Sequence, residues 1–280
     1  MSNLPGFLDF TRPGPGFVDD SQLHPFVRFW KRYGRHFFKL LQVNLVYALV
    51  TLPVYGWLMS LINAVTTQTG GGVVSVLGSL LLYVALGWPV WLRAELVGGS
   101  ILLLGPATAA LGRAALDCAW SRPGLFWPNF WEAWRRSWRQ ALPVGLADVL
   151  AVFATLYYLV DGETFFGAAG GVLKVLWLAL ALVYAMARVY VYPIMATVEL
   201  PLGALLRDSL ALALLRPWRP LAVVGITAVL CALCLAADLV LIPCFLYSFA
   251  AFSAAFFTQP VIQEHLLAPA ARAEEGNEES

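Results

Sequence analysis

The 280-residue chain is 60% hydrophobic and only 12% charged, with a formal net charge of +1 and a mean hydropathy of +0.73. Soluble domains carry roughly 25% charged residues, so this composition excludes an ordinary soluble core. Recurrent long apolar runs put the chain among all-α integral membrane proteins, a class for which no nucleic-acid partner is expected.

Residues 1–25, MSNLPGFLDFTRPGPGFVDDSQLHP, are rich in Pro, Gly and Asp and lack the apolar core of a signal peptide. A basic aromatic stretch with Arg28, Lys31, Arg32, Arg35 and Lys39 leads into the first apolar run, 40–62, which contains Asn44 and the kink candidate Pro53. Further runs of about the twenty residues needed to cross a bilayer cover 73–92, 99–117, 141–160, 172–196, 220–239 and 241–262. Lys and Arg concentrate on the cytoplasmic side. The basic segments before 40, between 113 and 139 and between 207 and 219 are therefore expected there. The segment 161–170, with Asp161, Glu163 and no cation, is expected outside.

Seven full crossings would put the arginines of 113–139 outside. The charge pattern instead fits a six-crossing helical bundle, 26–265, with both termini cytoplasmic. In that reading 63–98 is an extracellular-side insertion, bounded by Gly70-Gly71-Gly72 and Gly98-Gly99, that begins and ends outside. Whether 73–92 is re-entrant or lies against the bundle stays open, and seven crossings with an extracellular C-terminus is the alternative. The acidic tail, 266–280, is expected to be disordered.

Two segments repeat at an offset of 80. RRSWRQALPVGLADVL (135–150) and LRPWRPLAVVGITAVL (215–230) share R-x-W-R and a glycine six residues later. A third, weaker copy is FWKRYGRHFFKLLQVNLVYAL (29–49), matching FWEAWRRSWRQALPVGLADVL (130–150) at Phe29-Trp30 and Arg35. Three hairpin repeats, each a basic aromatic helix followed by a span and a returning span, would produce this pattern. Recurrent membrane-entry chemistry without common ancestry would also produce the third copy.

In FWPNFWEAWRRSWRQA (126–141) the spacing of Trp127, Trp131, Trp134 and Trp138 puts them within about 60° on a helix. Arg135, Arg136 and Arg139 fall on the flank and opposite side. Asn129 before Glu132 has capping-box spacing. An aromatic face beside a cationic face predicts a cytoplasmic amphipathic helix lying in the membrane interface, where arginines meet anionic lipid headgroups. The alternative use of such a surface is docking a cytoplasmic partner.

Ionisable residues inside spans are costly and mark candidate sites. Asp148 and Arg188 lie at matching depths, ~10 and ~12 Å from the cytoplasmic ends of two spans that form one hairpin, so they are expected to face the bundle interior and pair. Asn44 fits interhelical hydrogen bonding. Glu199 is expected to cap the following helix or to meet Arg207. Gly105-Pro106 either starts a half-helix aimed at a ligand or simply begins a helix. Cys231 and Cys234 form C-x-x-C inside an apolar run, where buried small hydrophobes are expected rather than a metal or redox pair. No metal-ligand spacing, phosphate loop or hydrolase elbow is present in the sequence, so neither an enzyme nor a cofactor is expected.

The order of LLQVNLVYALVTLPV (40–54), GPATAAL (105–111), FWEAWRRSWRQAL (130–142), VYPIMATVE (191–199) and LLRDSLALALL (205–215) resembles the YesL family of bacterial membrane proteins, whose biochemical activity is undefined. The similarity runs over most of 29–265. In shorter members the GPATAAL-like segment follows the first span almost at once, whereas here 56–104 intervene. The resemblance implies a multi-pass protein of the bacterial cell membrane with an accessory or regulatory role beside a carbohydrate importer, by genomic neighbourhood and not by mechanism. A small secondary transporter with a mid-membrane polar site and a lipid-interacting scaffold are the alternatives. The sequence names neither a substrate nor an oligomeric state.

Overall fold

The computed structural model describes residues 23–68, 90–120, 126–166, 170–236 and 242–269. Most of the polar N-terminal segment, the triple glycine at 70–72 with the centre of the expected insertion, and the acidic tail beyond 269 lie outside these residues. Every described element is helical: α1 (Pro25–Arg35), α2 (Phe37–Gln68), α3 (Val90–Ala119), α4 (Phe126–Phe166), α5 (Gly170–Thr197), α6 (Leu202–Leu215), α7 (Trp218–Ala236) and α8 (Ile242–Ile262), which continues into a π-helical turn, Gln263–Leu267.

Among the described residues three stretches are long and apolar enough to cross a membrane: Gly98–Ala119, Gly170–Thr197 and Phe245–Leu267. A fourth, Leu202–Leu215 with Trp218–Leu233, passes only as a pair bent by 93°. The first half of α5 shows why the surrounding solvent is lipid. Val172, Val175, Leu176 and Leu180 are each at least 60% exposed, an apolar surface that water would not tolerate and that hydrocarbon favours.

The axis of the bundle is α3. From Leu104 to Ala119 every residue except Thr108 and Arg113 is at least nine-tenths covered, and the helix touches α1, α2, α4, α5 and α8. Its composition permits this. Gly105, Ala107, Ala110, Gly112, Ala114 and Ala115 offer so little side chain that neighbouring backbones can approach. The closest approach is to α4: a Cβ built on Gly105 would lie 1.9 Å from the Ala141 carbonyl oxygen, and one on Gly145 would lie 2.5 Å from the Gly105 Cα.

Two glycine-containing boundaries expected from the sequence fall inside one helix. Gly98-Gly99 and Gly105-Pro106 are interior to α3, so Gly105-Pro106 does not start a half-helix, and the stretch able to cross a membrane runs from Gly98. The flanks of 63–98 are the end of α2 and the start of α3. Each helical glycine costs only about 1 kcal/mol against alanine, which a 30-residue helix packed on five neighbours absorbs. The basic aromatic stretch is likewise not a separate helix. It is the first third of α4, which runs unbroken through Pro143 for ~60 Å. Asn129 is inside that helix and caps nothing; its Nδ2 donates to Asp117 Oδ2 at 3.1 Å.

At the basic end, arginines close helix termini. Arg32 donates to the Ala119 carbonyl at the end of α3 (2.7 Å), and Arg113 donates to the Ala196 carbonyl near the end of α5 (2.8 Å). Both satisfy orphan carbonyls where the helix dipole favours a cation. Proline at its first position starts α1. Its Phe29 and Tyr33, one turn apart, are buried, with Phe29 edge-on to Phe252 and Phe256 at 5.3 and 5.4 Å. The chain breaks at His36 before α2. Burial, and then the charges of Lys39 and Arg35, hold that imidazole below its ordinary pKa.

Candidate functional site

The α4–α5 hairpin brings Asp148 and Arg188 together, with Arg188 Nε 2.8 Å from Asp148 Oδ1. Two tyrosines complete the arrangement. Tyr184 donates its hydroxyl to Oδ1 at 2.8 Å and Tyr192 donates to Oδ2 at 2.7 Å. Three donors converge on one carboxylate, which is how a charge survives burial. Tyr184, Arg188 and Tyr192 stand at i, i+4 and i+8 on α5 and so share one helical face. That spacing is itself readable in the sequence. The Arg188 guanidinium also lies over the Tyr192 ring, 5.5 Å from its centroid, a favourable cation–π placement.

The pair is asymmetric. The Asp148 side chain is 5% exposed and that of Arg188 is 43% exposed, so the arginine does not lie wholly inside the bundle. It lines a cavity of about 370 Å³ between α2, α3, α5, α7 and α8. Tyr47, Thr108 and Tyr192 contribute polar atoms on one side, and α7 and α8 contribute a wall of Val223, Val224, Ala228, Cys231, Leu246 and Ala250. The polar groups are mostly engaged. The Tyr47 hydroxyl and Thr108 Oγ1 are 3.1 Å apart, and Thr108 and Thr227 donate to the backbone carbonyls of Leu104 and Val223.

The other candidates divide. Asn44 is fully buried, and its Oδ1 accepts from the Ser248 backbone N–H at 2.7 Å, joining α2 to α8. Glu199 neither caps α6 nor meets Arg207. The cap of α6 is Pro201, without a side-chain bond, and Glu199 pairs with Arg136. The loop between α5 and α6 lays Glu199 against the first third of α4, where Gln140 donates to the Leu200 carbonyl, so the basic stretch is the nearer partner. Both members of the Arg136–Glu199 pair are largely exposed, and such pairs contribute little.

The aromatic stripe is split rather than uniform. Phe130, not a tryptophan, is its anchor, buried among Ala107, Ala110, Leu111 and Ala114 with Trp134 partly covered beside it. Trp127, Trp131 and Trp138 stay exposed, as do Arg135, Arg136 and Arg139. Sequence reasoning missed Asp117, which is buried on α3 with Arg113 one turn away (3.2 Å) and Asn129 across on α4. A second cleft of about 380 Å³ lies there, lined by Arg113, Glu132, Arg136, Arg139, Gln140 and Glu199 among others. Among the described residues no group of three or more His, Cys, Asp or Glu side chains could hold a metal ion.

A family model described as "Protein of unknown function, DUF624" matches residues 71–159. The match takes in Gly105, Gly145 and Asp148 and stops short of Arg188. No curated protein and no solved structure matches the chain. Apolar helices with exposed hydrocarbon faces make this a membrane-embedded protein, and the matched family leaves its activity undefined.

Proposed function

We propose that the chain is a small multi-pass membrane protein that binds a ligand in the cavity beside Arg188, in the manner of a secondary transporter. The observation that carries this reading is the asymmetry of the ion pair. A buried ion pair that only held helices together would enclose both partners, whereas here a carboxylate with three donors holds an arginine whose far side is open to a 370 Å³ cavity. Cavities of ~300–1,000 Å³ lined by apolar groups with a few placed polar ones are the usual form of a small-ligand site. Six crossings with cytoplasmic termini remain the arrangement that best suits the distribution of arginines.

The charge-exchange double variant tests the pair. Asp148→Arg with Arg188→Asp is expected to recover folded protein in membranes that either single change loses. A double variant no better than the singles would remove the pair as a unit.

A second reading, favoured by the exposed Trp131 and Trp138 beside Arg135 and Arg139, is an accessory or regulatory component of carbohydrate uptake. It is the role implied by the likeness to the YesL family, with that surface contacting a bacterial importer. Mild solubilisation from native membranes should then recover importer subunits. Recovery of anionic lipid alone would leave the surface as a bilayer anchor.

A further inference from the structure

We propose that the cavity beside Arg188 takes a single-chain amphiphilic acid, its carboxylate or phosphate against the guanidinium and its hydrocarbon along the α7–α8 wall. The proposal rests on the reading of that cavity as the ligand site and names the chemistry it selects.

The guanidinium supplies the first argument. Nε is committed to Asp148 and the ring face to Tyr192. The two terminal nitrogens have no hydrogen-bond or ion-pair partner among the described residues, and the side chain is 43% exposed. That edge presents two parallel N–H donors, the geometry that carboxylate and phosphate match bidentately. Asp148 is not stripped when the arginine shares its charge, because Tyr184 and Tyr192 still donate to it.

The wall supplies the second. From α7 and α8 the cavity is lined mostly by Val223, Val224, Ala228, Leu246, Ala250 and Ala254, which can hydrogen-bond nothing; of the hydroxyls on that side, Thr227 donates to its own helix and Tyr247 packs its ring on Tyr47. A sugar placed there would bury most of its hydroxyls without partners. An acid with an alkyl chain asks for polar contacts only at its head. The volume supplies the third. At about 370 Å³ the cavity is at the small end for ligand sites, suited to one chain rather than the two of a phospholipid.

Cys231, which lines the same cavity and is not in a disulfide, is a built-in reporter. The full chain in phosphatidylcholine nanodiscs would be alkylated with a small maleimide, and modification of Cys231 followed by peptide mass spectrometry. Dodecanoate and dodecyl phosphate are expected to slow that reaction about tenfold at ten times their Kd, and 1-dodecanol to leave it unchanged. Arg188→Lys, which keeps the charge and loses the two-pronged edge, should weaken protection. The charge-neutral double variant Asp148→Asn with Arg188→Gln should abolish it.

Equal protection by dodecanol, or protection surviving in the double variant, would overturn the acid while leaving the cavity a ligand site. Protection by phosphatidylglycerol in the nanodisc with none by the single-chain acids would overturn it in favour of a bilayer headgroup. If Cys231 does not react even without a probe, the cavity is closed and the ligand-site reading falls with the acid.

Discussion

In residues 135–150 the R-x-W-R segment is part of one uninterrupted helix, whereas in 215–230 it is the corner at which α6 and α7 meet at 93°. One position accounts for the difference. Pro217 stands where the first copy has Ser137. A residue before proline is disfavoured in the α region, and Arg216 accordingly sits at φ −132°, ψ 68°, ending α6. Pro220 then falls in the first turn of α7, where a missing N–H costs nothing. In α4 Ser137 instead donates its hydroxyl to the Ala133 carbonyl one turn back, and the helix continues.

The shared glycine differs as much. A Cβ on Gly145 would strike the Gly105 backbone, while one on Gly225 would meet nothing within 4 Å. Two residues from its end the first copy has Asp148, with its three donors, and the second has Ala228, part of the apolar wall facing Arg188. The common residues stand at the basic start of an apolar helical stretch. The residues that differ decide its direction, its neighbours and its chemistry.

The largest effect should come from removing the partner of Asp148, the residue that most separates the copies. Arg188→Ala leaves Asp148 buried without its counter-ion, a change worth about 3–5 kcal/mol for a fully buried pair and somewhat less here, because the arginine is partly open. Denaturant titration in nanodiscs reads it, and a loss below about 1 kcal/mol would show that the tyrosines alone suffice. Next, Gly145→Ala should cost about 3 kcal/mol by forcing α3 and α4 apart. Gly225→Ala should be neutral or stabilising by up to about 1 kcal/mol; equal melting temperatures for the two would dissolve the distinction between the copies. Ser137→Pro should bend α4 where Pro217 turns the second copy, at about 3 kcal/mol less any relief from repacking, seen as a shortened distance between spin labels at 131 and 150. Smallest of all, Arg136→Gln and Arg216→Gln each break an exposed pair, with Glu199 and Glu264, and should each change stability by less than about 1 kcal/mol.

What could be read from the sequence followed the strength of each signal. Long apolar runs such as 172–196 and 241–262 announce membrane helices through bulk composition, and α5 and α8 cover them. Matching depths were enough to associate Asp148 with Arg188, because two charges in hydrocarbon have few other partners. Local propensity misled at Gly105-Pro106, where the demands of a central close-packed helix override it. In the sequence 202–215 stands out only through the basic residues between 207 and 219. Its Leu205, Leu212 and Ala213 bury against Tyr190 and Ile194 of α5, a tertiary contact that no period within fourteen residues reveals. Asp117 was hidden because its partners, Arg113 and Asn129, come from one turn and from another helix.

Arg188 looks onto an open cavity and not into a sealed core. That openness is tested most directly by comparing maleimide alkylation of Cys231, on the cavity wall, with that of Cys118, buried on α3, in the unmodified protein in nanodiscs. The account predicts that Cys231 reacts at least about ten times faster, as accessibility governs thiol reactivity between two apolar sites. Equal inertness of the two thiols would contradict it.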